Sequence, residues 1–253
     1  MRILVSNDDG FDSPGLHALA QAAEAFGTVW IVAPEREQSA QSHSLTLQSP
    51  LRARKRGDRR FQVNGTPADC IYLGIHGLMD GPPDLVLSGV NRGSNLGNDV
   101  HYSGTVAAAR EASFTGLPAV AFSLHLDPSA DTVCHWETAT DVARRVIPVV
   151  LDGGLPQRTL LNVNVPNVPL DALRGVRVTT LGHRHYENRV TRREDPWGRD
   201  YYWIGGAHRA FDAIPDSDGP LCEAGWATVT PLHSDPTLTS FLAPLRARLS
   251  PES

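Results

Sequence analysis

Two aspartates stand side by side in Asn7-Asp8-Asp9-Gly10, directly after the apolar, β-rich run at residues 2–6 (RILVS). Adjacent carboxylates at the end of a buried strand repel each other unless a cation lies between them or one is protonated, so the pair points to a divalent ion held by oxygens. The plainer reading of an isolated couplet is one aspartate capping the next helix and one solvated. Other strand-like runs also empty into polar segments. Residues 35–44 form a hydroxyl-rich loop that includes Ser39 and His43, and by themselves such residues are turn formers and surface groups. Residues 88–97 (SGVNRGSNLG) hold three glycines, Asn91 and Asn95; glycines let backbone approach a ligand, and an asparagine carbonyl is a hard oxygen donor for magnesium or manganese. Then Ser103-Gly104-Thr105 opens a strongly helical run. Its free N–H groups and the positive end of the helix dipole suit a phosphate, with an ordinary N-cap as the plainer alternative. A divalent ion and an anion cradle at one sheet edge are what phosphate-ester hydrolysis needs: one polarises a phosphoryl oxygen and activates water, the other stabilises developing charge. No His/Cys cluster shows zinc-ligand spacing, which argues against zinc.

Something must bring these segments to one edge, and the alternation of elements supplies it. After the strand at 2–6, Ser13-Pro14 starts a helix with Leu16, Leu19, Ala20, Ala23 and Phe26 on one face, and residues 29–33 form a second strand ending at Pro34. Residues 52–60, rich in arginine and holding Lys55, the only lysine, read as a solvated loop. Thr66-Pro67 begins a helix reaching Leu78; strands follow at 84–88, 118–123 and 160–165, with helices from Ser103 and over about 137–151. This pattern predicts an α/β, Rossmann-like, doubly wound and mostly parallel sheet over residues 1–165, with ligands beyond the carboxyl ends of its strands. Residues 166–253 read differently. Residues 176–180 alternate, the aromatic run Tyr201-Tyr202-Trp203-Ile204 suggests a long β-hairpin whose aromatic face needs cover, 226–231 form a last core strand, and 238–249 a weakly amphipathic tail.

Composition narrows the function. The 253 residues carry a formal net charge of −5, which gives no general attraction to a nucleic-acid polymer, so a nucleotide-sized ligand needs a local site. Three dispersed cysteines, Cys70, Cys134 and Cys222, form neither a disulfide framework nor a zinc knuckle. With no leader-like start and no apolar stretch long enough to span a bilayer, the expected location is the cytoplasm, without membrane contact.

In order and across nearly the whole chain, the segments Asn7-Asp8-Asp9-Gly10, Ser13-Pro14-Gly15, Gly65-Thr66-Pro67-Ala68-Asp69-Cys70, Ser88-Gly89-Val90-Asn91, Tyr102-Ser103-Gly104-Thr105-Val106-Ala107-Ala108-Ala109, Asn162-Val163-Asn164-Val165-Pro166 and Asp195-Pro196-Trp197-Gly198-Arg199 resemble the SurE (survival protein E) 5'/3'-nucleotidase family. The resemblance implies a 5'-nucleotidase or acid-type phosphatase acting on nucleoside 5'- and 3'-monophosphates and short polyphosphate. It further implies one divalent metal ion per subunit (Mg2+ or Mn2+) and a homodimer or homotetramer assembled through the C-terminal hairpin and tail. By position, the metal ligands would be Asp8, Asp9, Ser39 and Asn91, and the phosphate contacts Ser103, Gly104 and Thr105 with Asn95 nearby. Gln41-Ser42-His43 replaces a glycine-containing stretch frequent in the family. The expected reaction is direct attack of water, with Asp8 or Asp9 accepting a proton and His43 or His101 protonating the leaving group. A haloacid-dehalogenase-type phosphatase or a response-regulator receiver would need an active-site lysine, and Lys55 is poorly placed for either. A non-catalytic nucleotide-binding protein has no evident use for two adjacent carboxylates.

Overall fold

The computed structural model describes residues 1–127 and 133–249. Its first half runs β1 (Arg2–Ser6), α1 (Pro14–Ala23), β2 (Thr28–Pro34), β3 (Ala53–Gly57), β4 (Arg60–Val63) and α2 (Pro67–Leu73). Next come β5 (Leu85–Arg92), α3 (Gly104–Phe114), β6 (Ala119–His125), α4 (Trp136–Gly153) and β7 (Thr159–Pro166). The remainder comprises β8 (Val176–Val178), β9 (Arg184–Tyr186), β10 (Arg189–Glu194), β11 (Asp200–Gly205), β12 (His208–Phe211), α5 (Asp218–Glu223), β13 (Ala227–His233) and α6 (Leu242–Leu249).

A nine-stranded sheet of order β3-β4-β2-β1-β5-β6-β7-β13-β8 forms the centre. Its middle strands pair in parallel, and the antiparallel joints are β3 with β4 and β13 with β7. Strands buried on both faces read as apolar runs, as residues 3–5 of β1 and 119–122 of β6 do, whereas β7 is broken by Asn162 and Asn164. Side chains alternate across the sheet: Ile3, Val5 and Leu87 face a core completed by Leu16 of α1 and Val142 and Ile147 of α4. Leu4 and Val86 face the opposite core, with Ile71 of α2 and Val106 and Ala112 of α3. The chain builds β2 and β4 on one side of β1 and then returns to lay β5 on the other. That reversal is the topological switch point, where α/β sheets open a crevice beyond the strand ends; Asp8-Asp9 and Asn91 sit at its two lips.

Several local expectations need correction. The arginine-rich run is an edge hairpin: Lys55 pairs with Phe61 and Ala53 with Val63. Its side chains stay in water while its backbone extends the sheet, and charge on an edge strand discourages pairing with a foreign chain. Helix α1 ends at Ala23, short of Phe26, which still packs against the core. Helix α2 ends at Leu73 and continues as a π-helical turn over Gly74–Leu78. The aromatic strand β11 pairs with β10 as expected, Trp203 opposite Thr191, but a second pair, β9 with β12, flanks it. Among the described residues no helix is long and apolar enough to cross a membrane.

Candidate active site

Asp8 leaves β1 into a buried niche, 4% exposed, under the start of α3. The Thr105 amide donates to its Oδ2 at 3.1 Å, and the Thr105 hydroxyl donates to Oδ1. Such close docking needs a glycine: a Cβ at position 104 would lie 2.9 Å from the Asp8 Cβ and 3.0 Å from Oδ2. Burial pushes the Asp8 carboxyl up to about 6; the Thr105 hydrogen bonds oppose this rise and the neighbouring Asp9 charge adds to it. Asp9 is also raised, first by burial, against the backbone N–H of Arg92 that donates to its Oδ2 at 2.8 Å, and with a further push from Glu37. Two carboxylates that resist ionisation while facing one space form a site for positive charge.

Asn91 reaches the same space because β5 bulges, its register against β6 shifting between Ser88 and Asn91. Gly89 permits that bulge, with φ of 125° and room for no Cβ, which would fall 2.2 Å from the Phe122 carbonyl. The Asn91 amide donates to the Gly93 carbonyl at 2.7 Å, which turns its own carbonyl oxygen elsewhere. The loop carrying Ser39 is tied down at its start, where Gln38 N donates to the Asp8 carbonyl at 2.8 Å, and further on at Ser42, which bonds the Tyr102 and His101 carbonyls. Ser39 donates to Glu37 at 2.8 Å. Within this loop Ala40 and Ser42 adopt φ of 59° and 55°, the left-handed conformation that glycine takes without strain; here the loop keeps a glycine-like path without the glycine. Asn95 is fixed by β7: Asn162 and Asn164 donate to its carbonyl, and its N–H donates to the Asn164 side chain at 2.8 Å.

These parts line a cavity of about 630 Å³ that holds Asp8, Asp9, Ser39, Asn91, Asn95 and Ser103 together, a size suited to a nucleotide. The remaining sequence candidates lie elsewhere. Gly104 and Thr105 sit beneath Asp8, so the anion on the α3 N-terminus is the Asp8 carboxylate itself, and the Ser103 hydroxyl caps Val106 N at 3.0 Å. His43 points away from the cavity: its Nε2 is 2.7 Å from Glu111 Oε2 and its ring stacks on Phe114. His101 is likewise absent from the lining. Sequence reasoning missed the far wall. Arg184 donates to Asp99 at 2.8 Å and Tyr186 donates to the same oxygen at 2.5 Å, so β9 presents a guanidinium to the cavity. The expectation of no His/Cys cluster also needs amending, because folding brings His183 and His185 to Asp212, with one ligand atom of each within 4.8 Å of the others.

Residues 3–188 match the family model described as survival protein SurE. A protein named 5'-nucleotidase SurE from Geotalea daltonii is 48% identical over 97% of this chain and 98% of its own length. Its namesake from Methylococcus capsulatus is 48% identical over 98% of each. The crystal structure of the SurE protein from Aquifex aeolicus superposes with a TM-score of 0.86 at 40% identity, covering 98% of this chain and 100% of that one. Family model, relatives and fold agree over nearly all of the sequence, and the chain belongs to the survival protein SurE family.

Proposed function

We propose that this chain hydrolyses nucleoside 5'- and 3'-monophosphates to nucleoside and phosphate with the help of one divalent ion, Mg2+ or Mn2+. The observation that carries the reading is the Asp8–Asp9 pair, Asp8 buried and Asp9 half-buried, held at the switch point and opening into a nucleotide-sized cavity. The donor set fits a hard cation: two carboxylates raised by burial, the carbonyl oxygen that Asn91 leaves free by donating its amide to Gly93, and the Ser39 hydroxyl. Asp8, Asp9, Ser39 and Asn91 would hold the ion. When bound, it supplies Lewis-acid chemistry, polarising a phosphoryl oxygen and activating water. The relatives' name, 5'-nucleotidase, supports the substrate class.

The chain's own groups divide the remaining work. Thr105 immobilises Asp8, so Asp9, which lines the cavity and gives one oxygen to Arg92 N, is the carboxylate that accepts the proton of the attacking water. Arg184, held against Asp99, puts positive charge where a phosphate dianion enters, and Asn95 and Ser103 border the same space. Recognition centred on phosphate extends to short polyphosphate. His43, clasped by Glu111 and Phe114, braces the Ser39 loop against α3 and does not protonate the leaving group; the leaving ribose oxygen takes its proton from water in the open cavity, and the proton on Asp9 returns to solvent. The enzyme works in the cytoplasm, where its free thiols Cys70, Cys134 and Cys222 stay reduced.

Phosphate release from 5'-AMP and 3'-AMP, assayed with Mn2+, with Mg2+ and with chelator, tests the proposal. Release that requires the ion is expected. Absence of ion-dependent release from every nucleoside monophosphate tried removes it. In oxygen-18 water the product phosphate should carry one labelled oxygen, and an aspartyl-phosphate adduct on Asp8 would replace direct attack with a covalent route.

A further inference from the structure

We propose that His183, His185 and Asp212 form a second metal site, for a borderline transition ion of the zinc class, at the rim of the cavity and distinct from the oxygen-donor site at Asp8-Asp9. Strand periodicity makes the first half of it. Successive side chains of a strand point to opposite faces, so His183 and His185 share one face of the β9 segment while Arg184 and Tyr186 share the other, where they hold Asp99. The two imidazoles lie 5.2 Å apart between ring centroids. Asp212 is delivered from the opposite strand: β12 pairs with β9, Phe211 opposite Arg184, and the pairing runs on through Asp212 N donating to the His183 carbonyl at 3.0 Å. Its carboxylate then meets His185 Nε2 at 2.6 Å.

One ligand atom from each residue lies within 4.8 Å of the other two. Zinc bonds of about 2.0–2.1 Å place tetrahedral ligand atoms about 3.4 Å apart. The side chains of His185 and Asp212 are 50% and 47% exposed, so small rotations bring the three to that spacing without disturbing packing. Two imidazoles and one carboxylate favour zinc, nickel or cobalt(II), whereas the carboxylate, amide and hydroxyl oxygens of the first site favour magnesium and manganese. The two sites therefore sort ions by ligand chemistry. Three protein ligands leave a fourth position for water or for a ligand from the cavity, which His183 and His185 both line. Because Arg184 lies between the two histidines, an ion here clamps to β12 the strand whose guanidinium faces the phosphate pocket.

Equilibrium dialysis of the full chain against zinc, in a large excess of Mg2+ that fills the hard site, tests this directly. Wild type and Asp9→Asn should each retain one equivalent of zinc. Affinity should fall at least about tenfold in His183→Ala, His185→Ala and Asp212→Asn, each checked by circular dichroism for an unchanged fold. No zinc retained by wild type, zinc retained equally by all three variants, or zinc lost only in Asp9→Asn would each overturn the site. None of these readouts depends on nucleotidase activity.

Discussion

Asp8 and Asp9 are neighbours of identical chemistry that the fold treats differently. Asp8 is locked, with both oxygens on Thr105; Asp9 gives one oxygen to Arg92 N and lines the cavity. If Asp9 takes the mobile proton, as proposed, Asp9→Asn should lower kcat at least about 100-fold with the fold intact. Steady-state kinetics at saturating Mn2+ measures it, and near-normal turnover would take Asp9 out of the chemistry. If Asp8 holds the proposed ion, it should govern the pH dependence of ion binding. Its pKa in the folded chain, about 6, lies above the ordinary 3.8, so the ion-free fold holds this proton more tightly than the unfolded chain does. The contribution of Asp8 to stability falls as pH rises from 3.8 towards 6, with its penalty fully present above that range. An ion that binds the carboxylate form must displace the proton below about pH 6 and relieves the penalty above it. Saturating Mn2+ should accordingly raise Tm more at pH 7 than at pH 5, and an equal rise at both would place the ion away from Asp8.

At the scale of elements, the site depends on how closely α3 lies over the end of β1. Gly104 sets that distance, because its missing methyl would meet the Asp8 Cβ at 2.9 Å and Pro67 Cγ at 3.1 Å, neither the tip of a flexible chain. Gly104→Ala should cost about 1–3 kcal/mol, the usual range for overpacking. Because the strain is relieved by moving α3 away from Asp8, kcat should fall more than the lost stability accounts for. Denaturant unfolding and kinetics on the same preparation separate the two effects, and a destabilised variant with unchanged kcat would detach α3 docking from function. Capping of this kind was legible in the sequence. Thr66 with Asp69 makes a capping box and Ser103 caps α3, since both use neighbours within three residues. What Thr105 binds was not legible, because its partner Asp8 lies 97 positions away.

The same contrast between local and distant signals holds for the whole molecule. Buried parallel strands announce themselves as apolar runs and helices by their periodicity, so the doubly wound sheet and the end of β1 could be read from the sequence, while the strand order that makes the switch point could not. The far wall could not, because Arg184 meets Asp99 across 85 positions and His185 meets Asp212 across 27, and nothing local marks such pairs. The arm that carries β10 and β11 raises the question of assembly. Tyr202, Trp203 and Ile204 are 59%, 63% and 91% exposed on a two-stranded sheet outside the central one, and a lone hairpin of this kind has little independent stability in water. Large apolar side chains exposed on both faces of so small an element call for a protein cover, and we take a second copy of this chain to supply it. Trp203→Ser combined with Ile204→Asp should then convert an oligomer into a monomer in sedimentation velocity. The core should stay folded, since neither residue belongs to the two hydrophobic clusters. A wild-type chain that sediments as a monomer, or a double variant that stays assembled, would place the subunit contact elsewhere or remove it.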